Sequence, residues 1–195
     1  RGGSFMKKIG VVFCGSFCTL KESLAAVRKL AEKGYDLYPI FSYNVKNLDT
    51  RFYKAKDFRD EVVSITGKEP VTTIPEAETF GTRNKMDLML VAPCTGNTLS
   101  KLALGITDTP ATLAVKAHLR NKRPVVLSVA TNDALGASAK NIGLLLNTRN
   151  YYFVPLWEDA PTVKENSLVA DTSLIPAAVE AAFEEKQLQP AVSYT

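Results

Sequence analysis

Short apolar runs alternate with longer amphipathic stretches along most of this sequence, and this alternation constrains the fold more than any other feature. The first run, Lys8 to Cys14, is almost continuously apolar and is followed by Gly15. From Leu20 onward, apolar residues recur at helical spacing until Gly34, which predicts a helix that ends at this glycine. Strands buried on both faces have continuous apolar runs of this kind. The alternation therefore predicts a parallel sheet covered by helices on both faces.

The same patterns predict the remaining elements and their order. Strands are predicted at 8–14, 35–41, 87–92, 124–130 and 151–156, with at best a short strand at 71–74. Further helices are predicted at 47–65, 98–104, 109–121, 134–147 and 173–187. The charged helix at 47–65 is expected to project outward. We number these strands along the chain, so that 71–74 is the third, 87–92 the fourth and 124–130 the fifth. Right-handed crossovers then favour the strand order 3-2-1-4-5, with 151–156 as a further edge strand.

Length and composition indicate one globular domain. The chain has 195 residues, of which 46% are hydrophobic and 23% charged. Residues 1–5 precede Met6 and are set aside as an expression remnant, and a tail at 189–195 is expected to be frayed. We therefore predict a single, doubly wound α/β domain with a Rossmann-like fold at 6–188. The net charge of +4 is too small and too scattered to indicate nucleic acid as a partner, and the apolar runs are too short to cross a bilayer.

The spacing of the three cysteines and the single histidine does not indicate a metal site. Cys14, Cys18 and Cys94 give no even disulfide framework, which favours the reducing cytoplasm, and their spacing provides no zinc ligand pairs. We interpret all three as buried structural thiols, although each lies at the end of a central strand. His118 is expected at a solvated helix position. No metal is predicted.

Four loops rich in small residues, hydroxyls and amides follow the predicted central strands. They are Gly15 to Thr19, Ser42 to Asn44, Pro93 to Thr98 and Ala130 to Asp133. In a doubly wound sheet, ligands bind at the carboxyl ends of the strands, and helix N-termini offer free N–H groups to phosphate. For any single loop, the hydroxyls are explained as well by helix capping. Four such loops at one edge favour a phosphate-bearing ligand, although neither the dinucleotide fingerprint nor a P-loop is present.

One long segment resembles a known protein family. The run Ala92-Pro-Cys-Thr-Gly-Asn-Thr98, followed by Lys101, Ala103, Gly105 and Asp108, is similar to the Pro-Ala-Ser/Thr-Ala-Asn-Thr segment of the homo-oligomeric flavin-containing cysteine decarboxylases, a flavoprotein family. The resemblance covers most of residues 6–155. It implies a bound FMN and a homo-oligomer, as a trimer or a multiple of trimers.

The resemblance also implies which residues contact the flavin. Gly15 would let the backbone approach the phosphate, Asn132 would face the ring or the substrate, and Phe17 would cover the ring. The full set of implied cofactor-binding residues is Gly15, Ser16, Phe17, Ser42, Pro93, Thr95, Asn97, Thr98, Ala130, Thr131 and Asn132. Catalytic residues are not assigned.

Three functions follow from the resemblance and from two departures. Within the family, the chain is most similar to a subunit of an oxidoreductase that oxidises a cyclic dihydro-dicarboxylate, which implies a partner subunit carrying NADP. An FMN-dependent decarboxylase is the second function, and a non-catalytic binding subunit with a degenerate flavin site is the third. Thr79 stands where the decarboxylases have a catalytic histidine, and Val129 to Asn132 replaces their Pro-x-Met-Asn. These departures favour the first function over the second.

Overall fold

The computed structural model describes residues 5–193, which form eight α-helices and seven β-strands. The strands are β1 (Lys8–Phe13), β2 (Asp36–Phe41), β3 (Leu88–Cys94), β4 (Val125–Thr131), β5 (Tyr151–Phe153), β6 (Leu156–Glu158) and β7 (Leu168–Ala170). The helices are α1 (Leu20–Glu32), α2 (Tyr43–Asn47), α3 (Ala55–Thr66), α4 (Ile74–Glu78), α5 (Gly96–Leu104), α6 (Pro110–Leu119), α7 (Ala139–Leu146) and α8 (Ile175–Phe183). None of these helices combines the length and the apolar character that crossing a bilayer would need.

Strands β1 to β5 form a parallel sheet in the order β2-β1-β3-β4-β5. Val71 forms a single parallel bridge to Ile40 on the outer side of β2. The predicted fold class and strand order are therefore confirmed, with the expected strand at 71–74 reduced to this bridge. Proline at 70 and 75 and the start of α4 at Ile74 leave no room for a longer strand.

Strands β1 and β3 form the centre of the core. Ile9, Val11, Val12 and Phe13 are fully buried, as are all residues from Leu88 to Ala92. Strands covered by helices on both faces are apolar at every position, which is why these runs do not alternate. Phe13 also makes edge-to-face contacts with two further rings, Phe41 at 5.8 Å and Phe58 at 5.2 Å between centroids.

The segment predicted as one outward helix at 47–65 is instead a loop at 48–54 between the end of α2 and the start of α3, and this prediction was wrong. Side chains in the intervening loop compete with helical hydrogen bonding. The Thr50 hydroxyl accepts from the N–H of Tyr53, and Asp49 accepts from the N–H of Ala55. Helix α3 does not project outward, because Phe58 and Val62 are buried in the core.

Two further departures lie at the end of the chain. The run predicted as one strand at 151–156 divides into β5 and β6, with Pro155 between them. Strand β6 pairs antiparallel with β7, which no sequence pattern predicted, and β7 pairs antiparallel with the last two residues of β4. The tail from Gln189 was expected to be frayed, but the N–H of Ser193 donates to the carbonyl of Leu156 at 2.8 Å. Residues 1–4 and 194–195 of the predicted termini lie outside the described residues.

The predicted helices at 134–147 and 173–187 are also shorter in the structure. Residues 134–138 form turns, and α7 begins only at Ala139. Before it, the N–H groups of Gly136 and Ser138 donate to the carbonyl of Asp133, which closes a turn in place of the first helical residues. Helix α8 begins at Ile175 after a short 3-10 helix.

Candidate functional site

The carboxyl ends of β1, β2, β3 and β4 lie at one edge of the sheet, where the residues that follow β1 and β2 are hydrogen-bonded to the neighbouring strands. The N–H of Cys14 donates to the carbonyl of Pro93 at 3.2 Å, and the N–H of Ser42 donates to the carbonyl of Phe13 at 3.0 Å. These bonds continue the sheet beyond its last regular pairs. The loops that the sequence singled out are therefore brought together by the strand order itself.

Two adjoining cavities open at this edge. The first cavity, about 280 Å³, is lined by Gly15, Ser16, Cys18, Thr19, Thr95, Gly96, Ala130, Thr131, Asn132, Asp159, Lys164, Ser167, Leu168 and Val169. The second cavity, about 500 Å³, is lined by Gly96, Asn97, Ser100, Thr131, Asn132, Asp133, Ala137, Ser138, Lys140 and Asn141. The two share Gly96, Thr131 and Asn132 and therefore adjoin each other, and together they are called the crevice below. The second cavity falls in the range of about 300–1,000 Å³ that small-ligand sites occupy, and the first lies just below this range.

Seven of the eleven predicted cofactor-binding residues line this crevice. Six of them line the first cavity and Asn97 lines the second; the six are Gly15, Ser16, Thr95, Ala130, Thr131 and Asn132. The other four, Phe17, Ser42, Pro93 and Thr98, line neither cavity.

Each of these four side chains has a role within the protein. The Ser42 hydroxyl accepts from the N–H of Val45 and caps α2, and Pro93 is buried in β3. Phe17 packs against the core. Thr98 is buried, and its hydroxyl donates to the Cys14 sulfur at 3.4 Å. These contacts position the loops around the crevice.

Helix α5 begins at the junction of the two cavities. The Thr95 hydroxyl accepts from the N–H of Thr98 and donates to the Thr98 hydroxyl, both at 3.1 Å. This cap uses the hydroxyl hydrogen of Thr95, so Thr95 has no hydrogen left to donate to a ligand. The first N–H groups of a helix have no intrahelical acceptor, and here they belong to Gly96 and Asn97. The positive end of the α5 dipole therefore faces the crevice through backbone N–H groups.

Gly96 permits a close approach that no other residue would allow. A Cβ atom at this position would lie 2.6 Å from the Thr131 hydroxyl and 3.3 Å from Asp133 Oδ1. At Gly15 a Cβ atom would lie 3.1 Å from the Asn44 Cβ and 3.2 Å from the Phe17 ring. The backbone at both glycines is thus packed against neighbouring loops.

Asp133 is a site residue whose importance the sequence did not indicate. Its Oδ1 accepts hydrogen bonds from the hydroxyls of Thr131, at 2.5 Å, and Ser138, at 2.8 Å. These two hydroxyls lower the pKa of Asp133 below its ordinary value. The carboxylate is therefore ionised at neutral pH and links the end of β4 to the turn before α7.

Further lining residues were also missed, and four of them are Asp159, Lys164, Ser167 and Lys140. Three of them belong to the β6–β7 hairpin, for which the sequence gives no strand pattern longer than three residues. No motif connects this hairpin to the strand-end loops. Only the pairing of β7 with β4 brings it to the crevice.

The three thiols differ in their surroundings. Cys14 and Cys94 are buried, as expected, and burial raises the pKa of Cys14 to about 11 and that of Cys94 well above its ordinary value. Both are therefore protonated and poor nucleophiles at neutral pH. Cys18 is exposed and lines the first cavity, so the prediction of a buried thiol was wrong for this residue.

His118 and Thr79 lie outside the crevice. The predicted solvated position for His118 is wrong, since its side chain is fully buried and its Nε2 lies 2.9 Å from the carbonyl of Pro124. Burial lowers the pKa of His118. Thr79 is half-buried on a 3-10 turn, where its hydroxyl donates to the carbonyl of Glu76. Within residues 5–193, no group of three or more histidine, cysteine or acidic side chains is placed to hold a metal ion.

Comparison with known proteins adds to this geometry. The B subunit of dipicolinate synthase from Bacillus subtilis (strain 168) is 40% identical over 184 residues, which are 94% of this chain and 92% of that protein. The crystal structure of the same subunit from Bacillus halodurans C superposes with a TM-score of 0.89 at 39% identity, covering 97% of each chain. An FMN-dependent cysteine decarboxylase, SpaF, shares the fold with a TM-score of 0.68 at 20% identity, covering 93% of this chain and 97% of that one.

The model of one protein family, described as Flavoprotein, matches residues 4–171, which include both cavities and the whole β6–β7 hairpin. With this match, and with a relative that is 40% identical over nearly its whole length, the chain belongs to the flavoprotein family and is a homologue of the dipicolinate synthase B subunit.

Proposed function

We propose that this chain is the FMN-binding subunit of dipicolinate synthase. In this proposal it acts with the A subunit of that enzyme, a partner that carries NADP, and the two together oxidise dihydrodipicolinate to dipicolinate during sporulation. The observation that carries the proposal is the 40% identity to a dipicolinate synthase B subunit over 94% of the chain. The proposed location is the cytoplasm of the mother cell of a sporulating bacterium.

The donors in the crevice fit a flavin mononucleotide. Gly15 and Gly96 place backbone on the wall of the first cavity. At Gly96 no Cβ atom fits without displacing Thr131. The N-terminus of α5 offers N–H groups to an anion, as helix N-termini commonly do. The other lining groups are largely hydroxyls and amides, which suit the ribityl chain and the ring edge.

Each crevice residue then has a definite task in the proposal. Ser16 and the N–H groups of Gly96 and Asn97 hold the phosphate. The side-chain amide of Asn97, which lines the second cavity, contacts the phosphate or the ring edge, and Asn132 faces the ring or the substrate. Thr95 and Thr98 act indirectly, since their hydroxyls are already bonded to each other and to Cys14. When bound, FMN supplies the redox chemistry, and the protein supplies orientation and electrostatics.

The decarboxylase alternative has weaker support. The decarboxylases of similar fold are about 20% identical, which indicates the fold alone. Thr79 lies outside both cavities and bonds to the carbonyl of Glu76, so this protomer offers no acid or base at that position. A non-catalytic binding subunit is the remaining alternative, and reconstitution separates it from the proposal.

The test is to mix the purified chain with the partner subunit, dihydrodipicolinate, FMN and NADP, and to follow dipicolinate formation by its ultraviolet absorbance. We expect both subunits to be needed for the full rate. We expect Asn97→Ala and Ser16→Ala to lower the rate together with FMN affinity, measured by flavin fluorescence. If the partner alone reaches the full rate, or if both variants leave the mixed rate unchanged, the chain is a binding subunit and the proposal fails.

We also propose a homo-oligomer, as a trimer or a multiple of three. Several large apolar side chains on α5, α7 and the loops beside them are exposed, including Leu104 at 69% and Leu144 at 52%. A relative in fold, a UbiX-like decarboxylase from Escherichia coli O157:H7, is described as dodecameric. Light scattering at micromolar concentration checks this, and a monomer would contradict it.

A further inference from the structure

One wall of the first cavity comes from the β6–β7 hairpin and not from the strand-end loops. Strand β7 pairs with the last two residues of β4, Ala130 with Val169 and Thr131 with Leu168. The connection between β6 and β7, residues 159–167, therefore begins and ends beside the carboxyl end of β4. It brings Asp159 and Lys164 to the cavity wall.

Hydrogen bonds fix this connection relative to the crevice. The N–H of Leu135 donates to the carbonyl of Asn166 at 2.9 Å, and the Ser167 hydroxyl lies 3.4 Å from the side-chain oxygen of Asn132. Within the connection, the N–H of Lys164 donates to the carbonyl of Ala160 at 2.8 Å. The backbone that carries Lys164 is thus attached to the same loops that line the cavity.

Lys164 is the one cationic side chain among the residues that line the first cavity in the described part of the chain. Its ammonium group is 3.3 Å from Asp159 Oδ2, and about half of its side chain is exposed. The other carboxylate oxygen of Asp159 is buried and has no hydrogen-bond partner within residues 5–193. The ion pair between Lys164 and Asp159 is therefore long, and it uses only one of the two carboxylate oxygens. An anion in the cavity would compete with Asp159 for the ammonium group.

We propose that Lys164 recognises a carboxylate group of the substrate and so selects for dicarboxylates. This inference rests on the proposed function, since it concerns the same crevice. A flavin phosphate is a second source of negative charge, but the donors proposed for it come from the β1 and β3 loops, whereas Lys164 comes from the hairpin. The lysine thus adds a charged donor to the first cavity from an element other than the β1 and β3 loops, whose donors there are neutral.

The test uses the FMN-loaded chain and pyridine-2,6-dicarboxylate, which is dipicolinate itself, titrated by calorimetry. We expect Lys164→Met to weaken dicarboxylate binding about tenfold, as for loss of one charge-assisted hydrogen bond, and to leave FMN affinity within about twofold. Asp159→Asn should act in the opposite direction and tighten dicarboxylate binding, because it removes a competing negative charge. Lys116→Met is the matched control, since Lys116 is exposed on α6 and lines neither cavity.

Two results would overturn the inference. If Lys164→Met weakens FMN binding and leaves dicarboxylate binding unchanged, the lysine contacts the flavin phosphate. If Lys164→Met and Lys116→Met bind the dicarboxylate equally well, the lysine has no role in recognition. A chain that binds no FMN would contradict the proposed function, and the same titration on the flavin-free chain would still decide the role of Lys164.

Discussion

At Gly96 the first turn of α5 approaches the end of β4 so closely that a methyl group has no space. An added Cβ would lie 2.6 Å from the Thr131 hydroxyl. The side chain of Thr131 is short and β-branched, and its hydroxyl is already bonded to Asp133, so it cannot easily move away. Overpacking costs about 1–3 kcal/mol, which exceeds the gain of up to about 1 kcal/mol from replacing glycine in a helix. We therefore expect Gly96→Ala to lower the free energy of unfolding by about 1 kcal/mol and to weaken FMN binding.

Gly143 provides the matched control for this prediction. It is exposed on α7, and a Cβ there would meet no atom within 4 Å. Gly143→Ala should stabilise the protein by about 0.5–1 kcal/mol through helix propensity alone. Urea denaturation of the two variants checks the opposite signs, and stabilisation by Gly96→Ala would refute the close packing at this turn.

At the scale of the element, α5 depends on its N-terminal cap. The Thr95 hydroxyl accepts from the N–H of Thr98 at 3.1 Å. Loss of such a cap costs about 1 kcal/mol, so Thr95→Ala should lower the free energy of unfolding by this amount. Thr95→Ser keeps the hydroxyl and should retain both the stability and the FMN affinity of the parent protein.

Urea denaturation and flavin fluorescence titration of the two Thr95 variants measure these effects. Equal destabilisation by serine and alanine would mean that the methyl group, and not the hydroxyl, stabilises this helix end. A loss of FMN affinity in Thr95→Ser without a loss of stability would assign the threonine a direct contact with the ligand.

At the scale of the whole molecule, the stability of the fold should depend on pH through His118. Burial lowers the pKa of this side chain in the folded protein, so the unfolded chain binds more protons as the pH falls below the ordinary value near 6.5. Stability is then fully present above this pH and is lost progressively as the pH falls toward the lowered pKa. One proton sets a maximum slope of about 1.4 kcal/mol per pH unit.

His118 is the single histidine in the sequence, so a slope between pH 7 and pH 5 can be assigned to it. Carboxylates with lowered pKa values, such as Asp133 and Glu76, lose their contribution only at lower pH. Thermal unfolding from pH 7 to pH 5 should show a falling melting temperature, and His118→Gln should flatten this dependence. An equally steep profile in His118→Gln would contradict the assignment.

Local patterns in the sequence were enough to predict the sheet and its strand order. The apolar runs at β1, β3 and β4, together with glycine at the turns, define parallel strands because each run is long, continuous and followed by a helical period. The same patterns led to the loops at the carboxyl ends of these strands. The elements that were wrong, such as the helix at 47–65, failed where side chains like Asp49 and Thr50 bond to the backbone and interrupt the helical period.

Periodicity within single segments, together with the right-handedness of crossovers, thus determined the fold class, the strand order and the loops that form the crevice. Folding in three dimensions decided which groups complete the site. The hairpin reaches the crevice only through the pairing of β7 with β4, and Asp133 joins the end of β4 to the turn before α7 through the hydroxyls of Thr131 and Ser138. His118 is buried on α6, where its Nε2 lies 2.9 Å from the carbonyl of Pro124, the residue just before β4. None of these contacts leaves a periodic signal in the sequence, and they exist only once the chain has folded.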